Sequence, residues 1–156
     1  MSAANLKVTR STVSSPKSSG QFDMSMLLGV VFLVMALLQL VSFNSFKDWF
    51  SAVGYHHNTL WAVVVIIAEV VAALGFIRVA LPPMASRLSR WCAILASGFW
   101  FIQTVKLVSD TAGTQVSNSG FFGKYLMQTP SWWTVLEATI LLLWTLWALG
   151  LAKESQ

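Results

Sequence analysis

Apolar stretches separated by short polar connections dominate the pattern of the chain. A helix of about 20 mainly apolar residues spans roughly 30 Å of hydrocarbon, and residues 24–43, 58–80, 88–108 and 131–152 meet that length. The pattern predicts an all-α integral membrane protein, a bundle of four transmembrane helices. Inside the second stretch, Ala62, Val65, Glu69, Ala72, Ala73, Phe76 and Ala80 recur at helical spacing and fall on one face. Small residues let helices approach closely in lipid, so this face, Glu69 included, is expected to turn towards another helix. The same period places Cys92, Ala96, Phe99, Gln103 and Lys106 on one face of the third helix. On the fourth it places Trp133, Glu137, Leu141, Trp144 and Ala148 together.

The connections carry their own signals. "LPPMASR" separates the second and third helices, because Pro82 and Pro83 cannot continue one. "SDTAGTQVSNSGFFGKYLMQTP" is rich in turn-formers but contains the apolar "FFGKYLM". That patch has three possible seats: the outer membrane surface, the bundle, or a partner chain. Trp49, Trp61, Trp91, Trp132 and Trp133 fall near segment ends, where an indole ring sits well at headgroup depth.

Composition narrows the function classes. Of 156 residues 56% are hydrophobic and 10% charged, with a mean hydropathy of +0.67. Residues 1–22 read as a disordered tail, 23–152 as the transmembrane domain and 153–156 as a short terminal tail; none of the polar pieces is long enough to fold alone. The first apolar run follows a basic tail but is followed by "SFNSFKDWF" rather than a small-residue cleavage site, so it reads as a retained helix. Lys7, Arg10, Lys17, Arg78, Arg87, Arg90 and Lys153 collect on one side, against Lys47, Lys106 and Lys124 on the other. Basic residues favour the cytoplasmic side, which predicts both termini inside, in a bacterial cytoplasmic membrane. The net charge of +4 is explained in the same way; nucleic acid is not needed, and the tail would at most touch anionic headgroups.

Little conventional chemistry is on offer. Cys92 is the one cysteine, which excludes an intramolecular disulfide, a CxxC redox pair and a cysteine metal cage. His56 and His57 are adjacent, poor spacing for helix-borne metal ligands, and read as surface or interfacial. Nucleotide-binding and hydrolytic signatures are absent.

The informative residues are polar ones at membrane depth. Gln39, Glu69, Gln103, Lys106 and Glu137 come from four different helices and fall near the middle or in the outer third of each. A carboxylate at helix centre costs on the order of 3 kcal/mol on insertion scales, so Glu69 should face inward and be partnered, or else be protonated. Converging faces would let Lys106 reach Glu137 while Gln39 and Gln103 hydrogen-bond Glu69. A plainer alternative has these groups fixing packing register, with Lys106 snorkelling and Glu137 near water.

"LLGVVFLVMALLQLVSFNSFKDWFSAVG", "NTLWAVVVIIAEVVAALGFI" and "WFIQTVKLVSD" together resemble the DoxX-like superfamily of four-helix membrane proteins, over roughly residues 24–152. The resemblance matches Glu69 to the family's second-helix glutamate and implies an amphipathic outer stretch after the first helix. Many members close that first helix with a lysine, where this chain has Gln39. Functionally the resemblance implies an accessory subunit or assembly partner of a membrane redox or respiratory complex, packed against other membrane subunits. Two alternatives stand beside it. One is a quinone- or lipid-binding oxidoreductase subunit with Glu69 as proton relay and Phe99, Trp100, Trp133 and Trp144 lining an aromatic cleft. The other is a small transporter or assembly chaperone. The small-residue stripe of the second helix would serve a homodimer as well as a bundle interior.

Overall fold

Residues 19–77, 81–109, 118–125 and 128–153 are described in a computed structural model. Their helices are α1 (Ser19–Val41), α2 (Phe43–Ala52), α3 (Asn58–Phe76), α4 (Pro83–Ser109) and α5 (Trp132–Lys153). Four of them, all but α2, are long and apolar enough to cross a membrane. The described residues contain no strand.

Several helix boundaries differ from the sequence reading. The apolar span begins at Met24 as expected, but the helix that carries it starts at Ser19, so α1 takes in residues 19–22 of the expected tail; residues 1–18 lie outside the described ones. It also stops at Val41, because Ser42 leaves helical geometry (φ −104°, ψ 31°) while its hydroxyl donates to the Leu38 carbonyl at 2.7 Å. The chain then restarts as α2, whose Phe46, Trp49 and Phe50 are buried while Asn44, Asp48 and Ser51 are exposed. Spacing of three and four along one face makes α2 amphipathic. At the other end of the bundle α4 begins at Pro83, ahead of the expected residue 88. Proline suits a first helical position, where its missing N–H would have had no intrahelical acceptor. α3 ends at Phe76, and Ala80 lies outside the described residues.

α1 packs on α3, α3 on α4, and α4 on α5, with α2 laid across α3, whereas α1 and α5 barely meet. Lys47, Lys106 and Lys124 sit at the end that carries α2, and Arg87 and Arg90 sit in the first turns of α4 at the opposite end. The α3 seam is built from small residues: Ala62, Ala72 and Ala73 are fully buried, as is Ala93 of α4 opposite them. Gly75 shows how close the approach is, since a Cβ there would lie 1.9 Å from Ser89 Oγ and 2.8 Å from Ser89 Cβ. Ser89 meanwhile donates across the seam to the Ala72 carbonyl at 3.3 Å. Gly75→Ala should therefore force α3 and α4 apart and cost about 1–3 kcal/mol. Thermal melting in detergent checks this against Gly98→Ala, where a Cβ meets nothing within 4 Å and no loss is expected.

Two helix faces are rotated from those the spacing suggested. On α4 the buried set includes Ala93, Ala96, Ser97, Trp100, Gln103, Thr104 and Leu107, with Cys92 and Phe99 half-buried and Lys106 exposed. On α5 it is Thr134, Ala138, Leu141, Thr145 and Ala148, while Glu137 and Trp133 face outward and Trp144 is half-buried. Threonine tolerates the interior because its hydroxyl can bond its own helix: Thr145 donates to the Leu141 carbonyl at 2.8 Å and Thr134 to Ser131 at 2.6 Å.

Candidate functional site

The small-residue stripe of α3 brings neighbouring helices close enough to enclose Glu69 completely. Its Oε1 accepts two hydrogen bonds from different helices. The indole Nε1 of Trp100 on α4 donates at 2.7 Å, and the amide Nε2 of Gln39 on α1 donates at 3.2 Å. Both donors are themselves fully buried. The same Gln39 nitrogen donates to the backbone carbonyl of Phe121 at 2.9 Å. One amide thus joins α1, α3 and the α4–α5 connection. Glu69 Oε2 and Gln39 Oε1 are buried and have no hydrogen-bond donor among the described residues. Among the described residues the carboxyl is held by neutral donors and by no cation.

Of that patch residues 121–125 are described, and together with 118–120 they dock onto the bundle. Phe121 is buried and its ring stacks on Trp100, centroids 4.7 Å apart at 21°. Trp49 of α2 donates from its indole to the Asn118 carbonyl at 2.9 Å, and Asn118 Nδ2 donates to the Gly123 carbonyl at 2.6 Å. Gly120 adopts φ +83°, and a Cβ there would sit 2.7 Å from the Trp49 indole. Only glycine meets both demands at that position. Trp49 is therefore a core residue, not an interfacial anchor; Trp61, Trp91, Trp132 and Trp133 are exposed.

The five polar residues do not form one cluster. Gln39 and Glu69 meet, but Gln103 is turned away: it is buried and its Nε2 donates to the Tyr55 hydroxyl in the α2–α3 link. Lys106 is exposed in the last turn of α4. Glu137 is exposed, and each of its oxygens lies 2.9 Å from Gln128 Nε2, so the expected Lys106–Glu137 pair gives way to a neutral amide. Near the N-terminal end of α5 a carboxylate can keep solvent, and nothing forces it inward.

The four expected cleft residues are likewise divided. Trp100 and Phe99 belong to the aromatic core, Phe99 stacking on Phe50 at 5.9 Å. Trp133 is 71% exposed. Trp144 lines a separate cavity of about 240 Å³ between α1 and α5, next to Phe121, Phe122 and Glu137. His56 and His57 are exposed on the turn before α3. The described residues hold no group of three or more His, Cys, Asp or Glu side chains placed to ligate a metal.

Tyr55 lies in the link between α2 and α3, outside the spans. Its ring packs edge-on against Phe50 and Trp61, each at 5.3 Å. Burial pushes the phenol above its usual 10.0, and the Gln103 hydrogen bond pulls the other way. A raised folded value means the neutral phenol favours the fold. That contribution is complete below pH 10.0 and disappears as pH rises through the folded value. Above about pH 10, wild-type melting temperature should fall more steeply than that of Tyr55→Phe, in parallel melts in one detergent.

Sequence reasoning missed Trp100 as the strongest donor to Glu69. The signal was present: Ala93, Ala96, Trp100, Thr104 and Leu107 run at helical spacing, one residue round from the face chosen for its amide and amine. The carbonyl of Phe121 had no comparable signal. Compared with known families, curated proteins and solved structures, the chain matches none.

Proposed function

We propose that this chain is an integral membrane accessory subunit or assembly partner of a membrane redox or respiratory complex, as its resemblance to DoxX-like proteins implies. Both termini then lie on the cytoplasmic side of a bacterial membrane. The enclosure of Glu69 carries the reading: the deepest polar groups bond one another across α1, α3 and α4 and serve to fix the bundle. The outward faces of the spanning helices remain apolar, with Leu40, Ile67, Leu95 and Leu143 all more than half exposed. Lipid and neighbouring helices are the natural cover for such faces. Extraction in mild detergent followed by affinity purification should bring down stoichiometric membrane subunits with redox cofactors. Recovery of a solitary chain, with the same respiratory activities in a deletion strain, would end the proposal.

A second reading, a quinone- or lipid-binding subunit in which Glu69 relays a proton, is favoured by one observation. Glu69 Oε2 is a carboxylate oxygen with no donor among the described residues, so a transferable proton can reside on it. Glu69→Gln should then abolish quinone-linked turnover of the purified complex without loss of assembly. Unchanged turnover would leave only the first reading.

A further inference from the structure

The weak contact between α1 and α5 leaves a cavity of about 240 Å³ that neither reading uses. Its walls are apolar and strongly aromatic, formed in part by Met35 of α1, Phe121 and Phe122 of the docked connection, and Trp144 of α5. Glu137 is the ionisable side chain that lines it. The Glu137 carboxylate receives hydrogen bonds from one neutral amide nitrogen, Gln128 Nε2, and so keeps lone pairs free. Aromatic walls with a single carboxylate at the rim have a definite preference. The carboxylate attracts a cation, aromatic side chains add to that attraction wherever a ring face is open, and the methyl or aryl substituents of an organic ammonium suit the apolar lining. The Trp144 indole N–H, which has no partner among the described residues, leaves room for an acceptor on the same ligand.

We propose that this cavity binds a small organic ammonium ion with apolar substituents, with Glu137 as its counter-charge. Size and charge separate this occupant from others. At about 240 Å³ the space lies below the roughly 300–1,000 Å³ of drug-sized sites, and suits one compact cationic group. A phospholipid headgroup would bring a phosphate against Glu137, and the described lining residues offer it no Lys or Arg. A neutral hydrocarbon would gain nothing from the carboxylate. The inference does not depend on either functional reading, since neither Glu69 nor a partner subunit enters it.

Benzyltrimethylammonium is a suitable probe, and neopentylbenzene is its uncharged counterpart of the same shape. Titration of the full chain in dodecyl maltoside, followed by calorimetry, should show saturable binding of the cation. Glu137→Gln should weaken it by at least about ten-fold and leave neopentylbenzene unaffected. Because Glu137 is exposed, that variant is expected to fold. Phe122→Leu, which keeps volume but removes the ring, should weaken the cation more than its counterpart. Absence of saturable binding, a Glu137→Gln affinity within about two-fold of wild type, or equal binding of the two probes would overturn the proposal. Displacement of the probe by added phosphatidylethanolamine would also overturn it, by assigning the cavity to a lipid headgroup.

Discussion

Glu69→Ala should destabilise the bundle by about 3 kcal/mol, while Glu69→Gln should leave it as stable as wild type or slightly more so. The alanine variant removes the acceptor of two interhelical bonds, those from Trp100 and Gln39. Such bonds are worth about 0.6 to 1.7 kcal/mol each within a membrane. A cavity in a fully enclosed position adds to the loss. Of the two orphaned donors Trp100 suffers more, because Gln39 Nε2 keeps the Phe121 carbonyl while the indole keeps nothing. Glutamine retains Oε1 as the shared acceptor and replaces Oε2, which has no donor, with an amide N–H; Gln39 Oε1 is an acceptor with no partner. Reversible unfolding in mixed micelles measures all three chains on one scale. Equal losses in the two variants would show that charge, and not the hydrogen-bond pattern, holds Glu69 in place. A double-mutant cycle of Glu69→Ala with Trp100→Phe should return a coupling of about 1 kcal/mol, because the second change then removes a bond already lost.

How much of this was legible depends on which force fixes each residue. The α3 face was readable because a carboxylate at mid-span has one tolerable direction, and the alanines at its helical spacing mark it. Depth and polarity also brought Gln39 to Glu69. The same logic failed at Glu137 and Lys106, which lie near helix ends where water is within reach; polarity there does not imply burial. It failed again at Thr134, Thr145 and Thr104, whose hydroxyls bond carbonyls of their own turns and so pack inward at little cost. Trp49 was hidden by a different effect. An indole at a segment end usually reads as a headgroup anchor, and only the tertiary fold shows that this one points inward. The break at Ser42 has no glycine or proline to announce it. Residues 118–125 have no helical or strand period at all, since Trp49, Trp100 and Gln39 supply their shape from outside the segment.

Phe121→Ala should release that segment and cost about 3 kcal/mol, the lower end of the range for truncating a buried phenylalanine. The ring is 3% exposed and stacks on Trp100, directly above the indole that holds Glu69. Removing it takes away the main apolar contact of 118–125 but leaves the backbone carbonyl that Gln39 uses, so the segment should loosen before the bundle does. Lys124 gives a direct readout. It is exposed, and between Lys106 and Lys153 it offers trypsin its one cleavage point. Cleavage by trypsin needs several residues of unfolded backbone, so its rate follows the open population of the segment. Phe121→Ala should raise cleavage at Lys124 by at least about ten-fold. Gly120→Ala should do the same by a different route, since alanine is strained at φ +83° and its methyl collides with Trp49. Tyr125→Ala, at a position already 55% exposed, should change nothing. If Phe121→Ala and Gly120→Ala are both cut at the wild-type rate, the ring does not hold the segment down, and Glu69 is closed off by the helices alone.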